Sequence, residues 1–324
     1  MLRGVPASSV GRRRQGAASL NDARDRALLD LLSALEERQY RFITPTPTTH
    51  ARVTARKPEA GDLRDVLGWS LPFRAETLDR EIFASLKAAD ALDLRGDLFV
   101  SRLRVSSLDD LLLLHSAYPT IQRDAVFFGP DSYRFAALLR AELPRLLPRR
   151  RIVDVGAGSG IGGLVAAQTA PGARVTLSDI NPEALRLAAV NAAFAGVDAE
   201  IVLASGLDGA EGEIDCIIAN PPYIVDGSHR GYRDGGPMHG GQLSLDWANA
   251  AASRLSPGGA LILYTGSAIV NGADELQAAL LAALSGFDIS YRELDPDVFG
   301  EELAQPAYAD VERIAVVGLV AIKR

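Results

Sequence analysis

Cysteine and histidine are scarce in this sequence of 324 residues. The single cysteine, Cys216, excludes an intrachain disulfide and a cysteine-cluster metal site, and its place in the apolar run IDCII predicts a buried core thiol. The four histidines are not spaced as metal ligands are, so we expect no metal centre. The chemistry of the protein is therefore expected from other side chains.

Long apolar runs are also missing. No stretch approaches the roughly 18 apolar residues that suggest a membrane-spanning helix. Residues 1–20 carry four arginines, no acid and no apolar core, which is unlike a secretory signal. We interpret this segment as a disordered tail, with a transit peptide as the alternative, and we expect a soluble, cytoplasmic protein without membrane contacts.

Basic residues are distributed unevenly along the chain. Residues 1–150 contain 24 Lys and Arg against 19 Asp and Glu, whereas residues 151–324 contain 10 against 22. Four of the positive charges belong to the tail, and no basic stripe of the kind that neutralises several phosphates is evident. A protein or small-molecule partner is therefore favoured over a nucleic acid.

A glycine-rich turn follows a short apolar segment. Residues 151–155 (RIVDV) predict a buried strand and residues 160–170 a helix. The turn between them contains Gly156, Gly158 and Gly160. Glycine permits positive φ and a close approach of ligand to backbone, and the free N–H groups of the helix start face that ligand. The pattern predicts a nucleotide-type ligand.

The next predicted strand, at residues 174–178, is followed by an acid, Asp179. A carboxylate there can accept hydrogen bonds from both hydroxyls of a ribose. NAD-dependent enzymes place an acid similarly, so Asp179 indicates a nucleoside without choosing the cofactor. The short-chain dehydrogenase alternative needs a Tyr-x-x-x-Lys pair, and no lysine in this sequence has a tyrosine four residues earlier.

The tetrapeptide NPPY, Asn220-Pro221-Pro222-Tyr223, follows a predicted strand at residues 213–219. It stands at the strand end where open α/β sheets bind ligands. An amide or exocyclic amine nitrogen is a poor nucleophile because its lone pair is delocalised. We expect Asn220 and the Pro221 carbonyl to hold such an NH₂ group, with Tyr223 stacked on the planar group. A strand-terminating proline turn is the alternative.

Asp154 stands two residues before Gly156 and completes a D-x-G-x-G-x-G pattern. With Asp179 and NPPY, this pattern resembles class I S-adenosylmethionine (SAM) methyltransferases, in particular the N5-glutamine methyltransferases of peptide-chain release factors and the N6-adenine methyltransferases. The resemblance covers residues 125–324 and implies SAM as the cofactor. It also implies a seven-stranded, doubly wound, Rossmann-like α/β domain with a final antiparallel hairpin, and the alternation of predicted strands and helices supports α/β independently.

The resemblance extends the predicted cofactor site to two further segments. Ser205 and Gly206 occupy the place where the family often has an acid near the adenine, and a simple turn is the alternative. Tyr133 lies in a segment that covers the methionine end of SAM in related enzymes, although an aromatic residue at a helix start is also typical of a core. The remaining predicted cofactor contacts are Asp154, Gly156, Ala157, Gly158, Gly160, Asp179, Ile180 and Asn220.

After NPPY the sequence departs from the release-factor enzymes, in which an acidic-Pro element and a Gly-Gly stretch follow. Residues 231–247 (GYRDGGPMHGGQLSLDW) keep the glycines but have Arg233-Asp234-Gly235-Gly236 in place of the acidic-Pro step. We predict methylation of protein glutamine, with N6-adenine of RNA or DNA as the first alternative. A small-molecule methyltransferase, another SAM-consuming enzyme and a non-catalytic SAM-binding module are the others.

The chain is longer than one such catalytic domain. We predict a smaller N-terminal α+β substrate-recognition domain at residues 21–120 and the methyltransferase domain at residues 121–324. In the former, residues 21–38 predict an amphipathic helix capped by Asn21 or Asp22, and the Pro- and Thr-rich residues 44–49 predict a loop. Its Trp69, Pro72 and Phe73 are either a binding edge or internal anchors.

Overall fold

The computed structural model describes residues 22–227 and 230–324. The predicted tail at residues 1–20 and the candidate cap Asn21 lie outside these ranges. No helix within them is long and apolar enough to cross a membrane.

The N-terminal unit, residues 22–120, combines helices with two hairpins. Its elements are α1 (Ala23–Glu37), α2 (Pro47–Thr54), α3 (Leu63–Leu67), α4 (Arg80–Ala88), β1 (Leu92–Arg95), β2 (Leu98–Ser101), β3 (Leu103–Leu108) and β4 (Leu111–Ser116). Strand β1 pairs with β2, and β3 pairs with β4, both antiparallel. The mixture of helices and antiparallel hairpins agrees with the predicted α+β class.

Two helix starts in this unit depend on side-chain caps. Asp22 caps α1 by accepting a hydrogen bond from the Arg24 N–H at 2.9 Å. Thr46 caps α2 by accepting one from the Thr49 N–H at 3.3 Å, and Pro47 at the first helical position has the φ that a helix requires. The prediction of a loop through residue 49 is therefore wrong from Pro47 onward.

Residues 121–324 contain an eight-stranded sheet. Its strands are β5 (Arg151–Val155), β6 (Arg174–Asp179), β7 (Ala199–Leu203), β8 (Ile214–Ala219), β9 (Leu255–Val270), β10 (Ala273–Asp274), β11 (Phe287–Asp295) and β12 (Arg313–Lys323). They are ordered β11-β12-β9-β8-β5-β6-β7, with β10 paired to β9. Strands β5 to β9 run parallel, and β12 is antiparallel to both neighbours.

The doubly wound α/β fold is confirmed, with one strand more than the seven predicted. The addition is the two-residue β10. The helix that follows begins at Glu275, because Asp274 caps it by accepting a hydrogen bond from the Gln277 N–H at 2.8 Å.

Helices cover both faces of this sheet. They are α5 (Pro130–Glu142), α6 (Ile161–Thr169), α7 (Pro182–Ala195), α8 (Gln242–Arg254) and α9 (Glu275–Ala283). Along β5, Ile152 packs with the cluster under α5 and α6, whereas Val153 packs with the cluster under α8 and α9. Cys216 is buried as predicted, and burial raises the pKa of its thiol to about 12. Because both faces are covered, the central strands β8 and β9 carry long apolar runs.

The N-terminal unit packs against α7. Leu187 of that helix shares a hydrophobic cluster with Leu31 of α1. The fully buried Asn191 accepts a hydrogen bond from the Leu114 N–H at 2.9 Å and donates to the Leu114 and Ser159 carbonyls at 3.0 and 2.9 Å. This one side chain therefore joins β4 to the glycine-rich turn.

Candidate functional site

A cavity of about 650 Å³ opens at the carboxyl ends of the parallel strands. This is the edge at which open α/β sheets bind ligands. The predicted residues that line it are Asp154, Gly156, Ala157, Gly158, Asp179, Ile180, Ser205, Gly206, Asn220 and Pro222. Residues that follow four different strands thus meet around one cavity.

The glycine-rich turn forms one wall. Gly156 and Gly158 have φ of +68° and +54°, which L side chains rarely adopt. The N–H groups of Gly156 and Ala157 donate to the Ser178 carbonyl at 2.8 and 3.0 Å, so the turn is fixed to the end of β6. A Cβ on Gly156 would also lie 2.5 Å from the ring of Trp247. Both conformation and space therefore require glycine at this position.

The Asp179 carboxylate fixes the turn from the other side. Its Oδ2 accepts a hydrogen bond from the Gly158 N–H and its Oδ1 accepts one from the Asn181 N–H, both at 2.9 Å. Burial raises the pKa of Asp179, and these hydrogen bonds oppose the rise. Each carboxylate oxygen can accept more than one hydrogen bond, so both retain capacity for a ligand hydroxyl.

Asp154 is a second carboxyl group on the cavity wall, with 1% of its surface exposed. Its Oδ2 accepts a hydrogen bond from the Gly163 N–H at 2.7 Å. Burial raises the pKa of Asp154 to about 7, with a further rise from the charge of Asp179. A Cβ on Gly162 would lie 2.7 Å from Oδ2, so glycine is needed beside this carboxyl. The cavity therefore contains an acid that titrates near neutral pH.

A smaller cavity of about 80 Å³ adjoins the large one. Asn220, Pro222, Phe127 and Tyr232 line both. The other residues that line the smaller cavity are Asp131, Pro221, Tyr223, Ile224, Arg233 and Phe299. All four residues of NPPY thus line the small cavity, and its asparagine stands on the boundary between the two.

Unpartnered polar atoms give the small cavity its chemical character. The Tyr223 hydroxyl and Arg233 Nε are buried and make no hydrogen bond to any residue in the described ranges. Burial raises the pKa of Tyr223 well above its ordinary value, and the nearby Asp131 adds to the rise, so the hydroxyl remains a donor. The Arg233 guanidinium pairs with Glu302 through its other end, and its Nε lies 3.8 Å from the Asp226 carboxylate. Two buried donors that make no hydrogen bond in the described part of the chain therefore belong to residues that line the small cavity together with Asn220.

Two predicted contacts lie outside the large cavity. Gly160, with φ of +83°, caps α6, and a Cβ there would lie 3.2 Å from that of Ala188. The Tyr133 hydroxyl accepts a hydrogen bond from the Thr44 N–H at 3.1 Å, so this side chain faces the N-terminal unit. Its neighbour Ser132 lines the cavity instead, because successive helical residues point in different directions. The prediction that Tyr133 lines the cofactor site is therefore corrected.

Comparisons with known proteins agree with this geometry. The family described as methyltransferase small domain matches residues 121–269. A release factor glutamine methyltransferase of Deinococcus radiodurans is 31% identical over 288 residues, covering 85% of this chain and 96% of that relative. The chain belongs to the SAM-dependent methyltransferases. Its cofactor is SAM, as the sequence resemblance implied.

Other relatives match less of this methyltransferase. A ribosomal RNA small subunit methyltransferase C of Pseudomonas aeruginosa is 35% identical over 134 residues, covering 41% of this chain and 37% of that protein. Among solved structures, the T. thermophilus 16S rRNA N2 G1207 methyltransferase in complex with AdoMet and guanosine is 18% identical with a TM-score of 0.44, covering 78% of this chain and 64% of that one.

Several residues of the methyltransferase site were missed by sequence reasoning. Trp247 lines the large cavity, and the rings of Phe127 and Tyr232 lie parallel, at 5° and 6.1 Å between centroids, where the two cavities meet. The Tyr232 hydroxyl donates to the Thr120 carbonyl. No local sequence pattern predicts these contacts, because each contact joins segments that are far apart in sequence. Only the unusual loop sequence around Tyr232 could have indicated that this residue belongs to the site.

Proposed function

We propose that this methyltransferase transfers a methyl group to the side-chain amide nitrogen of glutamine in a protein. The observation that carries the proposal is the position of Asn220, which lines both cavities. A side chain on that boundary can contact an acceptor nitrogen while the methyl donor occupies the neighbouring cavity.

The large cavity has the groups that SAM requires. In the proposal, Asp179 accepts hydrogen bonds from the ribose hydroxyls while the glycine-rich turn faces the rest of the cofactor. Ile180, with 61% of its surface exposed, provides an apolar contact for the adenine, and Ser205 and Gly206 line the same end. The Asp154 carboxylate supplies negative charge to the cationic part of SAM. Bound SAM supplies an electrophilic methyl group.

The small cavity suits a carboxamide. Its volume of about 80 Å³ has room for several water-sized groups, which is enough for the end of a glutamine side chain. The Asn220 side-chain oxygen and the Pro221 carbonyl would accept hydrogen bonds from the NH₂ group. The Tyr223 hydroxyl, which makes no hydrogen bond to the described residues, would donate to the amide oxygen, as would Arg233 Nε, which lies 3.8 Å from the Asp226 carboxylate. Both ends of the amide would then be satisfied.

These contacts are the chemistry that the protein must supply. The nitrogen lone pair forms the new N–C bond while the S–C bond breaks, and the sulfur keeps that electron pair as a thioether. The methylated nitrogen then releases a proton to solvent water. Hydrogen bonds to the NH₂ group orient its lone pair toward the methyl carbon and favour the pyramidal nitrogen of the transition state. Asn220 therefore acts on the acceptor, whereas Asp179 acts on the cofactor.

Two observations support a protein acceptor over RNA. The match to the glutamine methyltransferase covers 85% of the chain and 96% of that relative, whereas the match to the ribosomal RNA enzyme covers 41% of the chain. Residues 151–324 also carry 22 acidic against 10 basic side chains, which disfavours a polyanion.

Methyl-labelled SAM tests the proposal. The protein is incubated separately with purified peptide-chain release factor, ribosomal RNA, duplex DNA and a metabolite extract. The release factor should become labelled, and Asn220→Ala should reduce that labelling. Labelling of RNA or DNA in preference to the release factor would contradict the proposal.

A further inference from the structure

The N-terminal unit has a groove of about 640 Å³. Its lining residues come from α2, the turn after α3, the first hairpin and the segment after β4. Trp69, Tyr118 and His50 supply aromatic surface, and Lys57 and Arg95 supply positive charge. No carboxylate lines the part of this groove that the structure describes.

A buried cation lies directly behind this groove. Arg104 has 3% of its surface exposed, donates from Nε to the Gly68 carbonyl, and lies 2.8 Å from His50 Nδ1. Its guanidinium carbon lies 5.5 and 6.0 Å from the ring centroids of Phe42 and Tyr118. No carboxylate of residues 22–227 or 230–324 forms an ion pair with it, although buried charges are usually paired. The groove wall is therefore electropositive.

The neighbouring charges do not cancel this potential. His50 stays neutral at physiological pH, because burial and the charge of Arg104 lower its pKa to about 4. Lys57 pairs with Asp65, so these two charges balance locally. Arg95 is exposed and has no salt-bridge partner in the described ranges. Two unbalanced positive charges, Arg104 and Arg95, thus remain beside aromatic surface.

A short chain segment links the groove to the large cavity. Tyr118 and Pro119 line the groove, and Arg123 and Phe127 line the large cavity. The four residue steps from Pro119 to Arg123 span at most about 14 Å, since an extended chain advances roughly 3.3–3.6 Å per residue. A protein segment held in the groove could therefore place a nearby glutamine in the small cavity.

We propose that this groove binds a carboxylate-bearing segment of the acceptor protein. The identity of the partner rests on the proposed function, whereas the anionic chemistry rests on the groove itself. The carboxylate would offset the uncompensated charge of Arg104 and contact Arg95, and apolar neighbours in the segment would pack on Trp69 and Tyr118. A nucleic acid would need more cations than the groove offers.

The two tryptophans of the chain allow a direct binding test. Trp69 lines the groove and Trp247 lines the large cavity, so Trp247→Phe leaves Trp69 as the only tryptophan reporter. Its fluorescence is titrated with a blocked peptide of alternating glutamate and leucine. We expect a saturable change in fluorescence. The matching glutamine–leucine peptide should bind with a Kd about tenfold higher or more, because charge-assisted hydrogen bonds are lost.

Charge reversal at the groove provides the matched comparison. Arg95→Glu should weaken binding of the glutamate peptide about tenfold or more, whereas Arg80→Glu, an exposed change at the start of α4 outside the groove, should leave it unaltered. Equal melting temperatures verify that both variants are folded. Absence of a Trp69 response, equal affinity in both variants, or tighter binding of oligouridylate than of the glutamate peptide would each overturn the proposal.

Kinetics connect the groove to catalysis. The Arg95→Glu variant should show about a tenfold higher KM for the release factor with an unchanged KM for SAM, and Arg80→Glu should match the parent in both. An unaltered KM for the release factor in Arg95→Glu would overturn the groove proposal alone. Failure of the parent protein to methylate any release factor would overturn the proposed function, while the Trp69 titration would still report on the groove.

Discussion

SAM binding should depend on pH near neutrality because of Asp154. This carboxyl is buried on the wall of the large cavity, and its pKa is raised to about 7. If cationic SAM binds only the ionised form, the apparent Kd is the intrinsic value divided by the ionised fraction. That fraction falls from nearly complete at about pH 8.5 to roughly 3% at about pH 5.5. The Kd for SAM should therefore rise about 30-fold over this interval.

Titration calorimetry across this pH range measures the effect, and Asp154→Asn is the control. The amide has nearly the same shape and can still accept the hydrogen bond from Gly163, but it does not titrate. Its affinity for SAM should be low and independent of pH. A flat profile for the parent protein, or an undiminished slope in Asp154→Asn, would refute the role of this carboxyl.

Protonation of Asp154 should weaken SAM binding but stabilise the folded protein when no cofactor is bound. Because the pKa of Asp154 is higher in the folded state than its ordinary value of 3.8, the protonated carboxyl favours folding. This contribution is complete below about pH 4 and is lost as the pH rises through about 7, with a limit of about 4 kcal/mol. Asp154→Asn should therefore melt at a higher temperature than the parent at about pH 8. A lower melting temperature would contradict the reasoning.

Three further predictions concern ligand and chemistry. S-adenosylhomocysteine at 100 times its Kd should stabilise the fold by about 2.7 kcal/mol in a thermal shift assay, and equal protection by NAD would contradict the cofactor assignment. Asp179→Ala should weaken SAM binding by about 1.5–3 kcal/mol for each charge-assisted bond lost, and unchanged calorimetric affinity would make this acid purely structural. Asn220→Ala should bind SAM normally yet turn over about 10²–10³ times more slowly, and near-normal turnover would reduce NPPY to a structural turn.

The sequence was most informative where a local pattern has a local cause. The turn between β5 and α6 could be predicted because Gly156 and Gly158 adopt φ that other residues avoid. The buried strands were recognisable because apolar runs are needed where both faces of a sheet are covered. Even so, the length of β9, which extends to Val270, depends on its pairing with the distant β12.

The walls of the two cavities could not be predicted in the same way. Trp247 packs against the glycine turn from a helix that begins 86 residues after Gly156, and Phe127 meets Tyr232 across a similar separation. Such contacts depend on tertiary packing and leave no periodic signal. Tyr133 was misassigned because the direction of a side chain at a helix start is set by register, which the sequence pattern alone does not determine.

The most direct test of the central claim is the chemical identity of the methylated group. Release factor labelled with methyl-labelled SAM is isolated and hydrolysed in alkali, which cleaves side-chain amides. A methyl group on an amide nitrogen should be released as volatile labelled methylamine, and peptide mass spectrometry should locate the modification on a glutamine. Label that stays in the non-volatile fraction, or that maps to any residue other than glutamine, would contradict methylation of a glutamine amide.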